Sequence, residues 1–281
     1  MKVLSYRHGG QDRYGIVTDD GVIDATGPLG DRFPDLKAAL DGGMADLAAL
    51  AEGGSADHGL DEIEFLPTIP NPDKIICVGL NYATHIKETG REDSDYPALF
   101  PRFANTQVGH LQPLIRPTVS GIFDYEGEMA VIIGKRGRHI APERAFDHVA
   151  GYACYNDATI RDWQRHTHQF LPGKNFVGTG GFGPWMVTAD ELTDPSALSL
   201  TTRLNGNEMQ RSTTDLLIFD IPFLINYLST FTELVPGDVI PTGTPGGVGF
   251  KRTPPVFMEP GDTIEVEISG IGTLTHPIAA E

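Results

Sequence analysis

Cysteine and tryptophan are both scarce, two of each among 281 residues. Cys77 and Cys154 lie far apart and in no CxxC spacing. That excludes a zinc ribbon and a disulfide framework and points to a reduced, cytoplasmic setting. Long apolar runs are missing as well. The longest are short, such as Met129–Ile133, so no transmembrane helix is expected. Residues 1–20 carry Lys2, Arg7, Asp12, Arg13 and Asp19 without an apolar stretch, which does not suit a signal peptide. Basic side chains are the minority, 21 against 38 acidic, for a formal charge of −17. They are scattered and offer no basic face to displace counterions, so no nucleic-acid partner is expected. The acidity need serve nothing beyond solubility. What remains is an ordinary globular mixture, 40% hydrophobic, long enough for one large domain or a large and a small one. Glycine (33) and proline (21) are plentiful, which implies many turns and a strand-rich fold.

Residues 1–65 read as a small α/β unit. Val3–Tyr6 and Tyr14–Val17 are strand-like around a Gly9–Gly10 turn, and Leu36–Ala51 has helical spacing ended by Gly53–Gly54. The small, polar stretch Gly53–Gly59 suits a linker. Residues 66–281 form the larger unit. Lys74–Val78 reads as a strand, and Asn81–Thr89 as a polar helix capped by Asn81 and ended by Gly90. Met129–Ile133 and Gly151–Asn156 read as buried strands, Ala141–His148 and Ile221–Leu234 as helices. Pro236-Gly237-Asp238 and Pro260-Gly261-Asp262 each precede a strand, the second alternating over Thr263–Ile268. The class is therefore α+β and β-rich.

Several motifs carry no chemistry. Gly178-Thr-Gly-Gly-Phe-Gly183 satisfies GxGxxG but is followed by an extended segment rather than a helix. The glycine-rich run Thr242–Gly249 lacks the Gly-Lys pair of a phosphate loop, and no GxSxG or HExxH occurs. His166-x-His168 has no further ligands nearby in the sequence.

The informative segment is Asp124-Tyr-Glu126-Gly-Glu128, which runs into an apolar strand. If extended, it projects Asp124, Glu126 and Glu128 from one face, with neighbours roughly 6–7 Å apart. Buried like charges repel and lose hydration, and a hard cation such as Mg²⁺ or Mn²⁺ relieves both penalties. Asp157, after Asn156 at a strand end, would complete a trio. Spacing alone leaves open a solvated strand edge, with Asp157 as a helix cap.

These residues resemble the fumarylacetoacetate hydrolase family. The likeness rests on Asp124-Tyr-Glu126-Gly-Glu128, Asn156-Asp157, Arg161-Asp162-x-Gln164, Gly173-Lys174 and Gly243-Thr244-Pro245-x-Gly-Val-Gly249. It also rests on Val78-Gly-Leu-Asn-Tyr82-x-x-His85-x-x-Glu88, and it covers roughly residues 72–279 in the family's motif order. The resemblance implies a mixed β-roll, as a homodimer, behind a small N-terminal domain. It implies Mg²⁺ or Mn²⁺ on Glu126, Glu128 and Asp157, and a His85–Glu88 acid/base dyad on a short helix over the substrate. Lys174 would sit beside the metal and offset a developing oxyanion, and Thr244 would contact the substrate carboxylate. Arg161 and Gln164 would support the site, Tyr82 would line it, and Arg102 would clamp a carboxylate. Family members acting on acylpyruvates often carry lysine where Phe100-Pro101 is here followed by Arg102, which leaves the exact substrate open.

The implied reaction is hydrolytic C–C cleavage of an acylpyruvate-like 2,4-dioxo acid. It needs a Lewis acid across two adjacent oxygens of a 2-oxo acid, stabilising the departing enolate. It also needs a base to activate water, for which His85 is the candidate, with Glu88 orienting the ring. Rival outcomes on the same scaffold are oxaloacetate decarboxylation, or isomerisation, tautomerisation or hydration of a 2-oxo acid. A non-catalytic ligand-binding homologue is the rival of another class. Loops at Arg91–Leu99 and Gln169–Pro172 are expected to shape the acyl side of the pocket.

Overall fold

The computed structural model describes residues 1–90, 94–192 and 194–281. The start of the expected acyl-side loop, residues 91–93, lies outside the described residues. The chain is strand-rich α+β, as its composition implies.

Strands Lys2–His8 and Gln11–Thr18 form the first hairpin, and both turn glycines, Gly9 (φ 58°) and Gly10 (φ 77°), take the left-handed conformation a tight two-residue loop requires. Lys2–His8 also pairs antiparallel with Gly180–Thr188, so residues 1–65 prolong the main sheet at one edge. The continuous helix expected over Leu36–Ala51 is instead two. Leu36–Leu40, capped by the Asp35 carboxylate accepting from the Ala38 amide at 2.7 Å, is separated from Met44–Gly53 by Gly42 and Gly43. Gly42 sits at φ 146°, and adjacent glycines stabilise a helix interior poorly, by about 1 kcal/mol each.

Along its main path the large sheet runs Gly21–Asp24, Gln11–Thr18, Lys2–His8, Gly180–Thr188, Val149–Asn156, Gly127–Ile133, Val239–Pro241, Ile75–Gly79 and Ala98–Arg102. A second sheet orders Asn207–Thr213, Ser199–Leu204, Thr263–Ile268, Gly272–Ala280 and Leu114–Arg116. The sheets close on each other at Gly127, where a Cβ would lie 2.1 Å from Thr202 Oγ1.

Every residue of Gly127–Ile133 is buried. Met129, Val131 and Ile133 enter a core with Leu224, Ile225 and Leu228. Ala130 and Ile132 enter another with Ala153, Tyr155 and Phe182. Burial on both faces is why this strand is apolar from Met129 to Ile133 rather than alternating.

Other boundaries move for local reasons. Pro142–His148 is a 3₁₀ helix rather than an α-helix. Helix Ile221–Phe231 starts with Pro222 and the Asp220 cap. It stops short of Leu234, whose backbone bridges Gly137. Helix Ala83–Thr89 ends at Gly90 (φ 67°) as expected, but Asn81 does not cap it. Its amide donates to the Phe219 and Thr242 carbonyls at 3.0 and 2.8 Å and accepts from the Phe219 amide at 2.7 Å. Asn81→Ala strands those buried groups and is expected to lower unfolding free energy by about 2–3 kcal/mol in urea titration.

Candidate active site

Glu126 and Glu128 meet Asp157 because their strands are antiparallel neighbours. Gly127 registers with Asn156 and Glu128 with Tyr155, which places Glu126 beside Asp157, and the Asp157 amide donates to the Glu126 carbonyl at 2.8 Å. The three buried carboxylates each offer an oxygen within 4.8 Å of the others. Asp124 leaves this face, contrary to the extended-strand expectation. It ends the short strand Phe123–Asp124, and its carboxylate accepts from the Gly249 and Phe250 amides at 2.8 and 3.1 Å and from Arg161 Nε at 2.8 Å.

Three cations are buried among the carboxylates. Lys174 Nζ donates to Glu126 Oε2 and Asp157 Oδ2, both at 2.6 Å. Arg161 Nη1 lies 2.6 Å from Glu126 Oε1. Arg102 donates to Asp157 Oδ1 at 2.7 Å, to the Ala158 carbonyl at 3.0 Å and to Thr179 at 2.9 Å. Arg102, set out above as a substrate clamp, thus spends its guanidinium on the protein and does not line the cavity.

Glu128 differs from its neighbours. Its Oε2 accepts from the Gly243 amide at 2.9 Å, and no cation pairs with it among the described residues. Burial first, then the charges of Asp157 and Glu126, push its carboxyl well above the ordinary 4.5. Burial would also raise Glu126, but Arg161, Lys174 and His85 outweigh it and bring that carboxyl down to about 2. All-oxygen donors with one carboxylate lacking a counter-charge suit a hard divalent cation, so the donor set fits Mg²⁺ or Mn²⁺.

His85 is nearly buried, and its Nδ1 lies 2.7 Å from Glu88 Oε1 on the same helix face. The other Glu88 oxygen accepts from the Gly247 amide at 2.8 Å. The glycine-rich bend therefore organises the chain's own acids. Its amides hold Glu128 through Gly243, Glu88 through Gly247 and Asp124 through Gly249. Gly243 (φ 107°) and Gly247 (φ 103°) take left-handed conformations that other residues rarely adopt.

His85, Glu126, Glu128, Lys174, Gln164 and Thr244 share one cavity of about 360 Å³. Arg161 lines it too, and its Nη2, buried, has no hydrogen-bond partner. The Thr244 hydroxyl donates to the Gly127 carbonyl at 3.0 Å and accepts from Gln210 Nε2 at 2.8 Å. Tyr82, expected to line the site, is buried and does not line the cavity, and burial, then the Glu128 charge, raises its phenol. Sequence reasoning missed Gln210, which also accepts from the Gly127 amide at 3.0 Å, because a lone glutamine on a distant strand carries no local signal. It also missed Arg165, His168, Phe250 and Lys251 at the cavity.

Residues 74–279 match the fumarylacetoacetate (FAA) hydrolase C-terminal family. A mitochondrial oxaloacetate tautomerase of Bos taurus is 42% identical over 219 residues, 77% of this chain and 70% of that protein. A fumarylacetoacetate hydrolase from psychrophilic Exiguobacterium antarcticum superposes with a TM-score of 0.81 at 35% identity, over the whole of both chains. A maleylpyruvate hydrolase from Sphingobium sp. SYK-6, solved with manganese(II) and pyruvate, gives a TM-score of 0.83 at 29% identity, covering 100% of this chain and 99% of that one. No helix among the described residues is long and apolar enough to cross a membrane. The buried acidic trio, the histidine–glutamate pair over it and these likenesses agree: the chain belongs to the fumarylacetoacetate hydrolase family.

Proposed function

We propose that this protein interconverts the enol and keto forms of a small 2-oxo acid at a divalent ion held by Glu126, Glu128 and Asp157. The observation that carries the reading is a histidine, fixed by a carboxylate, opening on the same cavity as Glu126 and Glu128 of the acidic trio. The printed activity of the Bos taurus relative supports it. Mg²⁺ or Mn²⁺ bound there supplies a Lewis acid that acidifies the carbon next to the 2-oxo group. Glu88 accepts from His85 Nδ1, which leaves Nε2 as the basic atom that takes and returns the proton. The unsatisfied Arg161 Nη2 donates to the substrate carboxylate, with Gln164 and Thr244 beside it. Lys174 and Arg102 hold Asp157 in place.

C–C hydrolysis of an acylpyruvate is the second reading, with His85 drawing its proton from water. The apolar wall of Phe100 and Phe170, ring centroids 5.6 Å apart, favours it by suiting an acyl chain. We read the assembly as a homodimer, for which Phe223, Tyr227 and Phe231 on one edge of helix Ile221–Phe231, with Phe219 stacked on Phe223 just before it, are the candidate face.

Following enol absorbance and pyruvate release with oxaloacetate and with acetylpyruvate separates the two reactions. Enol relaxation without pyruvate is expected from oxaloacetate, and activity that survives full chelation overturns the metal assignment. His85→Ala is expected to lower kcat about a hundredfold or more, with an unchanged melting profile as the check on folding.

A further inference from the structure

The helix that carries His85 cannot hold itself in place. Ala83–Thr89 has seven residues and no side-chain cap at its N-terminus, and helices that short are marginal without outside support. Part of the support comes from the glycine-rich bend. The Gly246 amide donates to Thr84 Oγ1 at 3.1 Å and the Gly247 amide to Glu88 Oε2 at 2.8 Å, two points one turn apart on the helix. Glycine has the freest backbone of any residue, so the bend needs fixing in its turn.

Arg252 is placed to fix it. Its Nε donates to the Gly247 carbonyl at 3.2 Å and to the Tyr125 hydroxyl at 3.1 Å, and its Nη2 donates to the Met209 carbonyl. The Tyr125 hydroxyl donates to the same Gly247 carbonyl at 3.1 Å. Gly247 is thus held at its amide by Glu88 and at its carbonyl by Arg252 and Tyr125. A Cβ on Gly247 would lie 2.4 Å from the Met209 oxygen, which closes a further side. Arg252 is half-buried, and among the described residues it meets no carboxylate, in a chain with 38 acidic side chains. Its charge is spent on carbonyls and a phenol, where a cationic donor bonds more strongly than a neutral one. It does not line the cavity.

Resting on the reaction proposed above, we infer that Arg252 is a positioning residue for the acid/base pair. It acts through Gly247 on Glu88, and through Glu88 on the orientation and tautomer of His85.

The test uses Arg252→Gln, Arg252→Lys and Glu88→Ala in the full chain. Nitrogen NMR of the His85 ring in chelator, at about pH 9 where an imidazole is neutral, reports which nitrogen carries the proton. The wild type is expected to hold it on Nδ1, Arg252→Gln to show a mixture of tautomers, and Arg252→Lys to stay close to the wild type. In the Mn²⁺-loaded protein Arg252→Gln is expected to lower kcat about tenfold with KM within about twofold, since the loss falls on proton transfer rather than on binding. Its Mn²⁺ affinity by calorimetry should be unchanged, because Glu128 is held through Gly243 and not Gly247. In the Glu88→Ala background the same substitution should cost less than about twofold more, as expected of two residues acting in one chain. An unchanged His85 tautomer in Arg252→Gln, a loss that multiplies with that of Glu88→Ala, or a fall in Mn²⁺ affinity that matches the fall in kcat overturns the inference. Should Arg252→Gln fail to fold, Tyr125→Phe removes one donor to the same carbonyl and is expected to shift the tautomer in the same direction by less. A wild type that converts no 2-oxo acid removes the proposed reaction, and the tautomer of His85 still decides the role of Arg252.

Discussion

Glu128→Gln is expected to cut turnover about a thousandfold while making the chelated protein more stable. The two effects have one origin. Glu128 is the carboxylate of the trio without a cation, crowded by Asp157 and Glu126. Losing an anionic ligand costs the Lewis acid, whose charge stabilisation is worth several kcal/mol. Without metal, where the carboxyl is ionised, the same substitution removes a buried charge that is in no ion pair among the described residues, and the amide oxygen still accepts from Gly243. The gain is about 1–4 kcal/mol, a rise of several degrees in Tm.

The pH dependence follows from the direction of each shift. A carboxyl raised above 4.5 in the fold contributes stability that is complete below 4.5 and lost as pH climbs through the folded value. The chelated wild type should therefore melt progressively lower as pH rises above 4.5, and Glu128→Gln should not share that decline. Glu126 acts in the opposite sense. Held at about 2, it contributes stability above 4.5 that fades as pH falls through about 2. Adding Mn²⁺ should restore the wild type most at the alkaline end. Melting curves in chelator across pH check this, and equal slopes for wild type and variant would falsify it.

Glu126 and Glu128 were legible from local spacing, whereas Asp157 joined them only through the family resemblance. Period-two spacing brought Glu126 and Glu128 together, and one antiparallel register brought Asp157 to them. Asp124 shares that period and was grouped with them. The separation arises where the chain leaves Phe123–Asp124, which pairs with Thr159–Ile160, before Gly127–Ile133 starts its own pairing. That break depends on a distant strand, which no local spacing encodes. Arg102 shows the same limit. An arginine after Phe-Pro can clamp a ligand or a ligand's ligand, and only the fold puts Asp157 within its reach. His85 and Glu88 were placed correctly on one helix face. The Gly247 amide that holds Glu88 lies 159 residues away in the sequence. The break at Gly42–Gly43, by contrast, was available from composition. Leucine and alanine periodicity masked two residues whose propensity opposed it.

Lys174→Met is the other substitution with a large expected effect, and its sign in the metal-free protein is the reverse of Glu128→Gln. Lys174 is buried, and its single ammonium serves two carboxylates at 2.6 Å and the Asp157 carbonyl at 3.1 Å. Burial would lower its pKa, but Asp157 and Glu126 reverse that, so it stays charged. Methionine keeps most of the stem and removes the charge, leaving Glu126 and Asp157 to repel each other across the space it filled. Breaking a buried pair from one side costs about 3–5 kcal/mol. Both carboxylates are trio members, so a divalent cation can replace the missing charge. Unfolding in urea with chelator should show that loss, and saturating Mn²⁺ should recover more stability in Lys174→Met than in the wild type. Turnover should stay low even when loaded, because the ammonium beside the trio is gone. In the double variant with Glu128→Gln the repulsion is smaller, so its destabilisation should fall below the sum of the single effects, as expected for residues sharing one charge network. Full stability of Lys174→Met in chelator would show that Arg102 and Arg161 suffice to neutralise these acids, and that the lysine is held there for chemistry alone.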